Sequence, residues 1–255
     1  MCLIFLSVQN HSRYKLIIAA NRDEFYQRRT AAAQWWQDQP EILGGRDLEA
    51  GGTWMAIHRN GKIALVTNYR DPQNIRPHAP SRGHLVSDFL EREIHPADYV
   101  KEVEGKANLY NGFNLLAGTG EELWYVSNYK KGLIRLEPGI HGLSNHLLDS
   151  PWPKVLRGKE KMMVAFQKND IQPIELMDIL YDGVIASDDQ LPITGIGLER
   201  ERALSSMFIK TSGYGTRCST VILVEQNNHV TFSERVYDVE TFQYQTSNFE
   251  FDITP

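Results

Sequence analysis

Apolar and polar positions along the chain group into short, β-branched-rich runs separated by turn residues. Residues 2–8 and 14–20 are two such runs, and the polar stretch Gln9-Asn10-His11-Ser12-Arg13 between them predicts a β-hairpin with the start of the chain on a strand. Asn21-Arg22-Asp23-Glu24 then reads as a loop leading to Gly44-Gly45-Arg46-Asp47 and Gly51-Gly52-Thr53-Trp54. A second strand pair is expected over 53–58 and 62–68, turning at Asn60-Gly61, where glycine allows positive φ. Residues 71–80 hold three prolines and read as a loop, after which Ser81 is placed to cap a helix with Leu85, Val86, Phe89 and Leu90 on one face. A short helix is expected after Pro96, strands over 112–118, 122–128 and 133–136, and a closing segment Gly142-Leu143-Ser144-Asn145. Ser150-Pro151 predicts the opening of a long helix and 173–181 another, before strands over 219–226 and 229–237 joined at Asn227-Asn228. Antiparallel runs of strands with helices inserted in blocks are an α+β pattern, and two sheets covered by helices satisfy it.

Composition narrows the class. A chain of 255 residues, 42% hydrophobic and 23% charged, can bury a substantial core, and with no linker-like stretch a single domain over 1–255 is expected. The net charge of -5 gives no basic surface for phosphates, so nucleic-acid binding is not expected. The apolar run at the start is too short for a transmembrane segment or a signal-peptide core, which leads to the expectation of a cytoplasmic protein. Of two cysteines, Cys2 and Cys218, neither belongs to a C-x-x-C pair, so a special role falls to a single thiol.

Position singles out Cys2. Removal of Met1 is expected before so small a side chain, and would leave one residue carrying a nucleophile and a free α-amine that titrates near ~8, a built-in general base. The alternative is a small buried hydrophobe on a strand.

Further blocks lie along the chain: Ala20-Asn21-Arg22-Asp23-Glu24-Phe25, Gly45-Arg46-Asp47, Gly51-Gly52-Thr53-Trp54, Thr67-Asn68-Tyr69-Arg70, Gly142-Leu143-Ser144-Asn145 and Tyr214-Gly215-Thr216-Arg217. In this order they resemble the NRDE family, also called the transport and Golgi organisation 2 family. The resemblance implies a four-layer αββα sandwich of the N-terminal-nucleophile (Ntn) hydrolase type, distantly similar to penicillin V acylases and bile-salt hydrolases. It further implies catalytic roles: Cys2 as nucleophile, Asp23 as the carboxylate holding the N-terminal amine, and Asn68 and Asn145 as oxyanion or substrate contacts, since a well-aimed amide stabilises developing negative charge. Asn21, Arg22, Arg70, Arg82 and Arg217 are the candidate substrate-binding residues. Where the acylases carry an Arg three residues before the matched Asp, this chain has Ala20, and Arg200, Arg202 and Arg217 compete for the place of their second Arg.

Plainer readings stand beside these. Asp23, Asn68 and Asn145 are also ordinary turn residues, Trp54 reads as core, and Arg217 as the partner of a surface carboxylate. Arg70, Arg76 and Arg82, with His78 and His84, crowd one proline-rich loop, either to clamp a carboxylate or phosphate or as a solvated surface. His141 and His146 lack metal-site spacing, and Gly213-x-Gly215 is no dinucleotide fingerprint, so no metal and no required cofactor are expected. Two functions follow from the resemblance: an amidohydrolase of a small acyl amide, or a carrier or chaperone for haem or another hydrophobic anion such as a lipid or acyl-CoA.

Overall fold

The computed structural model describes residues 2–254. Its strands form two antiparallel sheets. The first has the order β10-β1-β2-β11-β12-β13, from Gly139–Leu143 (β10), Cys2–Val8 (β1), Tyr14–Phe25 (β2), Tyr214–Glu225 (β11), His229–Tyr237 (β12) and Tyr244–Asp252 (β13). The second runs β3 to β9 in chain order: Thr30–Trp35, Ile42–Asp47, Met55–His58, Ile63–Asn68, Phe113–Gly118, Leu123–Ser127 and Lys130–Arg135.

Alternation along the strands builds three apolar layers. Between the sheets, Ile4, Leu6, Ile18 and Ile222 meet Leu43, Ile57, Leu65 and Leu116. The opposite face of the first sheet, with Leu3, Phe5, Ile17 and Val221, is covered by helices Pro153–Ala165 (α3) and Pro173–Leu180 (α4) through Val155, Met162, Leu176 and Leu180. The outer face of the second sheet, with Ala64, Val66 and Leu115, is covered by His84–Glu91 (α1) and Pro96–Gly105 (α2). The expected αββα arrangement is therefore present. Every residue of β1 is buried, because both faces of that strand meet a layer, and this is why its sequence reads as a continuous apolar run. At Gly158 an added Cβ would lie 2.0 Å from the Phe5 ring, so glycine there lets α3 sit down on β1.

Several elements differ from the sequence pattern. Asn21-Arg22-Asp23-Glu24 is not a loop but part of β2, which pairs with β1 as far as Arg22 and is carried on to Phe25 by β11. Strands β3 and β4 fall in the stretch read as irregular, β13 lies beyond the last expected strand, and a helix at Leu198–Ala203 (α5) was not expected. The long helix opens at Pro153 rather than at Ser150-Pro151. β13 is mostly exposed and polar over its first half; it pairs along its length with β12, and Phe251 joins the core between the sheets with Phe249 packed against it.

Candidate active site

The register of three strands builds the site. β1 and β2 pair Cys2 with Arg22 and Ile4 with Ala20, and β11 extends the row by pairing Cys218 with Arg22. Directly opposed residues share a face, so Cys2, Arg22 and Cys218 look toward the second sheet while Leu3, Asn21 and Asp23 look toward the helices. The two thiols stand two strand spacings apart, about 9–10 Å, with Arg22 between them, too far to bridge. Both are free.

The cleft beside Cys2 is lined by Ile4, Ala20, Asn21, Arg22, Trp54, Met55, Leu65, Val66 and Thr220. Cys2 is 8% exposed, and the open space there is about 10 Å³, room for one water molecule. Burial pushes the thiol up, Asp23 and Glu24 add to that rise, and Arg22 opposes it. The Arg22 guanidinium stacks over the Trp54 ring at 4.1 Å and its Nη2 lies 3.7 Å from Glu24 Oε2. The glycine of the Gly45-Arg46-Asp47 block explains the stacking: a Cβ on Gly45 would fall 2.2 Å from the Trp54 ring, so its absence admits the indole, which in turn holds Arg22. Trp54, read as core, is thus partly buried and lines the cleft. A cation does face the thiol although position 20 is alanine; it comes from the residue directly across the ladder.

Asp23 is fully buried on the helix side and accepts a 2.7 Å hydrogen bond from Thr216 Oγ1. Burial raises its carboxyl, and Lys154 is foremost among the groups acting against that rise. Lys154, 3% exposed in the first turn of α3, donates from Nζ to the Leu204 carbonyl at 3.0 Å; burial brings its ammonium down to about 8. Arg70 pairs with Glu201 of α5 at 2.7 Å and stacks on Trp152 at 4.6 Å.

The blocks carrying Asn68 and Asn145 are joined. Asn145 Nδ2 donates to the Asn68 carbonyl at 3.1 Å, Thr67 Oγ1 donates to the Ser144 carbonyl at 2.8 Å, and Arg70 N donates to the Asn145 carbonyl at 2.7 Å. β10 pairs with β1 as far as Leu143 against Ile4, two residues before Asn145.

Other candidates are placed differently. Asn21 borders the cleft, and its side-chain amide donates to the Leu180 and Met207 carbonyls and accepts from Ser219 Oγ, a strut between β2, β11 and the helices. Arg217 donates from Nη1 to the carbonyls of Phe25, Tyr26 and Arg28, which anchors the chain leaving β2 and spends that nitrogen on backbone. Arg82 donates to the Gly112 carbonyl at 2.9 Å and stays within the field of Glu24 and Cys2. Arg200 is exposed and Arg202 pairs with Asp188. The expected loss of Met1 concerns a residue outside the described ones.

The sequence reading missed Lys154 and Glu201. A lysine in the first helical turn opposes the helix dipole, and that local conflict beside Pro153 was the available signal for Lys154. Glu201 sits in an unexpected helix, and only the fold brings it to Arg70. A roomier groove, about 890 Å³, lies elsewhere, lined by the 73–76 loop with Tyr129, Lys130 and Lys131 and not by Cys2. Among the described residues no three His, Cys, Asp or Glu side chains gather as a metal site, and no helix is long and apolar enough to cross a membrane.

Comparison with known proteins completes the picture. A family model described as "Transport and Golgi organisation 2" matches residues 1–239. The chain is 38% identical to the mouse "Transport and Golgi organization 2 homolog" over 99% of each chain, and 38% identical to the human homolog with the same coverage. Among solved structures it is similar to the C2A mutant of the conjugated bile acid hydrolase from Clostridium perfringens, with a TM-score of 0.53 over 99% of this chain and 98% of that one, at 10% identity. At that identity the likeness concerns the fold, which is Ntn-hydrolase-like.

Proposed function

The chain belongs to the Transport and Golgi organisation 2 family, and from that premise we propose that it is an Ntn-type cysteine amidohydrolase of a small acyl amide, with Cys2 as nucleophile after removal of Met1. The observation that carries the reading is the row at the start of β1: a thiol on the first residue of the strand, the Arg22 guanidinium directly opposite, and Asp23 next along β2. In the proposed reaction Cys2 Sγ attacks the amide carbon while the α-amine takes the thiol proton. The oxyanion is held by side-chain amides of Asn145 and Asn68, and Arg22 stabilises the negative sulfur. The amine returns its proton to the leaving nitrogen as the C–N bond breaks, and water then attacks the thioester to release the acid and restore the thiol. Because the cleft holds about one water molecule, an acyl group enters only after Trp54 or Met55 moves aside.

Intact-mass analysis of the purified chain, followed by an assay of short N-acyl amides with and without Cys2→Ala, tests this. Loss of Met1 with turnover that vanishes in the variant is expected; turnover unchanged by Cys2→Ala overturns it.

The enclosure of the thiol and the separate 890 Å³ groove, which Arg76, Lys130 and Lys131 help to line, favour a second reading: a carrier for haem or another hydrophobic anion such as a lipid or acyl-CoA. Haem titration distinguishes it. A saturable shift of the Soret band that is lost on replacing Arg76 and Lys131 supports the carrier, and its absence removes haem.

A further inference from the structure

The arginines of the proline-rich stretch, candidates for clamping an anion, separate in the fold. Arg76 is exposed and donates from Nη2 to the Tyr110 carbonyl, and Arg82, half-buried, donates from Nη1 to the Gly112 carbonyl. Arg70 is the buried one of the three, its side chain 5% exposed. Its guanidinium is fixed on one side and open on the other. Nη1 meets Glu201 Oε2 at 2.7 Å, and Glu201 Oε1 accepts from the backbone and hydroxyl of Thr194 at 2.8 and 2.6 Å, so both oxygens of that carboxylate are committed. The flat face lies over the Trp152 ring at 4.6 Å, and the Arg70 backbone N–H is tied to the Asn145 carbonyl at 2.7 Å. Nε and Nη2 remain. Both are closed off from solvent, and among the described residues neither finds an acceptor. These two nitrogens form one edge of the guanidinium, where their N–H bonds run side by side in the plane of the group and match the two oxygens of a carboxylate. Charged donors withdrawn from water without an acceptor cost free energy, and an oxyanion lying on that edge removes the cost.

We infer that the edge of Arg70 formed by Nε and Nη2 is a subsite for a carboxylate carried by the ligand of this protein. The edge is built in advance: an ion pair, a stacked ring and a backbone hydrogen bond hold the guanidinium before any ligand arrives. Entry is by way of the segment 191–197, which Thr194 fastens to Glu201. That segment has glycines at positive φ at 195 and 197, +86° and +87°, and a fully exposed Ile193. A Cβ on Gly195 would lie 3.5 Å from Gln73 Nε2, which sets the segment beside the chain that follows Arg70. A carboxylate reaches the closed edge when this strap lifts. One consequence rests on the proposed function: because Arg70 is bonded to the Asn145 segment assigned to the oxyanion, the acyl amide that is hydrolysed also bears a carboxylate.

NMR of the full chain, labelled with nitrogen-15 in its arginine and tryptophan side chains, tests the subsite with sodium acetate as the probe and sodium chloride at matched ionic strength as the control. The Arg70 Nε–H signal, assigned by its loss in Arg70→Lys, should shift saturably with acetate and stay in place with chloride. The Trp152 indole signal, assigned with Trp152→Phe, reports the same place when the guanidinium is gone. Read there, Arg70→Lys should weaken acetate binding by about tenfold or more, since an ammonium keeps a charge for Glu201 but has no two-pronged edge. The assignment is overturned by the absence of a saturable acetate shift, by an equal shift with chloride, by equal affinity in Arg70→Lys, or by a response to inorganic phosphate without one to acetate. Should Arg70→Lys fail to fold, the wild-type titration of the Trp152 indole decides by itself. Turnover is not read: a chain that hydrolyses nothing defeats the proposed function and leaves the subsite standing, and an acetate titration without response defeats the subsite alone.

Discussion

The two faces of β2 differ in kind. On the face between the sheets, Arg22 lies between Cys2 and Cys218, held by an aromatic ring and with its nearest carboxylate, Glu24, at 3.7 Å. On the helix face, Asp23 lies among Lys154, Arg70 and Glu201, with one ion pair closed at 2.7 Å. The inner face leaves a cation loosely paired where a sulfur needs it. The outer face encloses its charges and closes one ion pair among them. The inner face should therefore speak through reactivity and the outer face through stability.

The largest effect belongs to the outer face. Arg70→Met leaves Glu201 buried without its partner, and breaking such a pair costs about 3–5 kcal/mol, to be read as a fall in the denaturant midpoint at constant slope. A loss under about 1 kcal/mol would erase the contrast between the faces.

Next comes the contrast within the inner row. Burial pushes Cys218 well up and Glu234 adds to that rise; burial also raises Cys2, and Arg22 opposes the rise at both thiols. Native-state alkylation with iodoacetamide, resolved by peptide mass spectrometry, should favour Cys2 by about 100-fold. Equal rates would show that the row does not discriminate.

Arg22→Met tests the cation itself. A positive neighbour stabilises the thiolate, so its loss raises the Cys2 midpoint; alkylation at pH 8 should slow by about tenfold, one pH unit, while Arg22→Lys recovers part of it. Stability should change far less than with Arg70→Met, because methionine keeps the stem packed on Trp54.

Glu24→Gln gives the smallest change and the opposite sign. Removing the carboxylate beside Arg22 leaves the cation to the thiol, and the Cys2 midpoint should fall by a few tenths of a pH unit, about a twofold faster alkylation. A general loosening of the site would move both variants the same way.

Much of this arrangement could be read along the chain, and the parts that could not share a cause. Cys2 stood out by position and its neighbours by their blocks, and the hairpin of β1 and β2 followed from two apolar runs and a polar turn. Asn21 fell within the same block as Arg22, yet alternation turns it under the sheet to bond Leu180 and Met207 carbonyls. Reading residues 21–24 as a loop hid that alternation, because polar residues in a central strand look like a turn until their partners on β11 are known. Lys154 and Glu201 lay in no block at all.

The sequence alone determined what repeats locally: the strand pairs with their turns, the apolar face of α1, the α+β class, and a thiol at the second residue. Those features depend on side-chain period and turn chemistry within a few residues. Tertiary structure decided which charges meet: Arg22 with Cys2 through a ladder and Arg70 with Glu201 across 131 positions. Electrostatic energy depends on distance in space and on burial, and neither is a property of spacing along the chain.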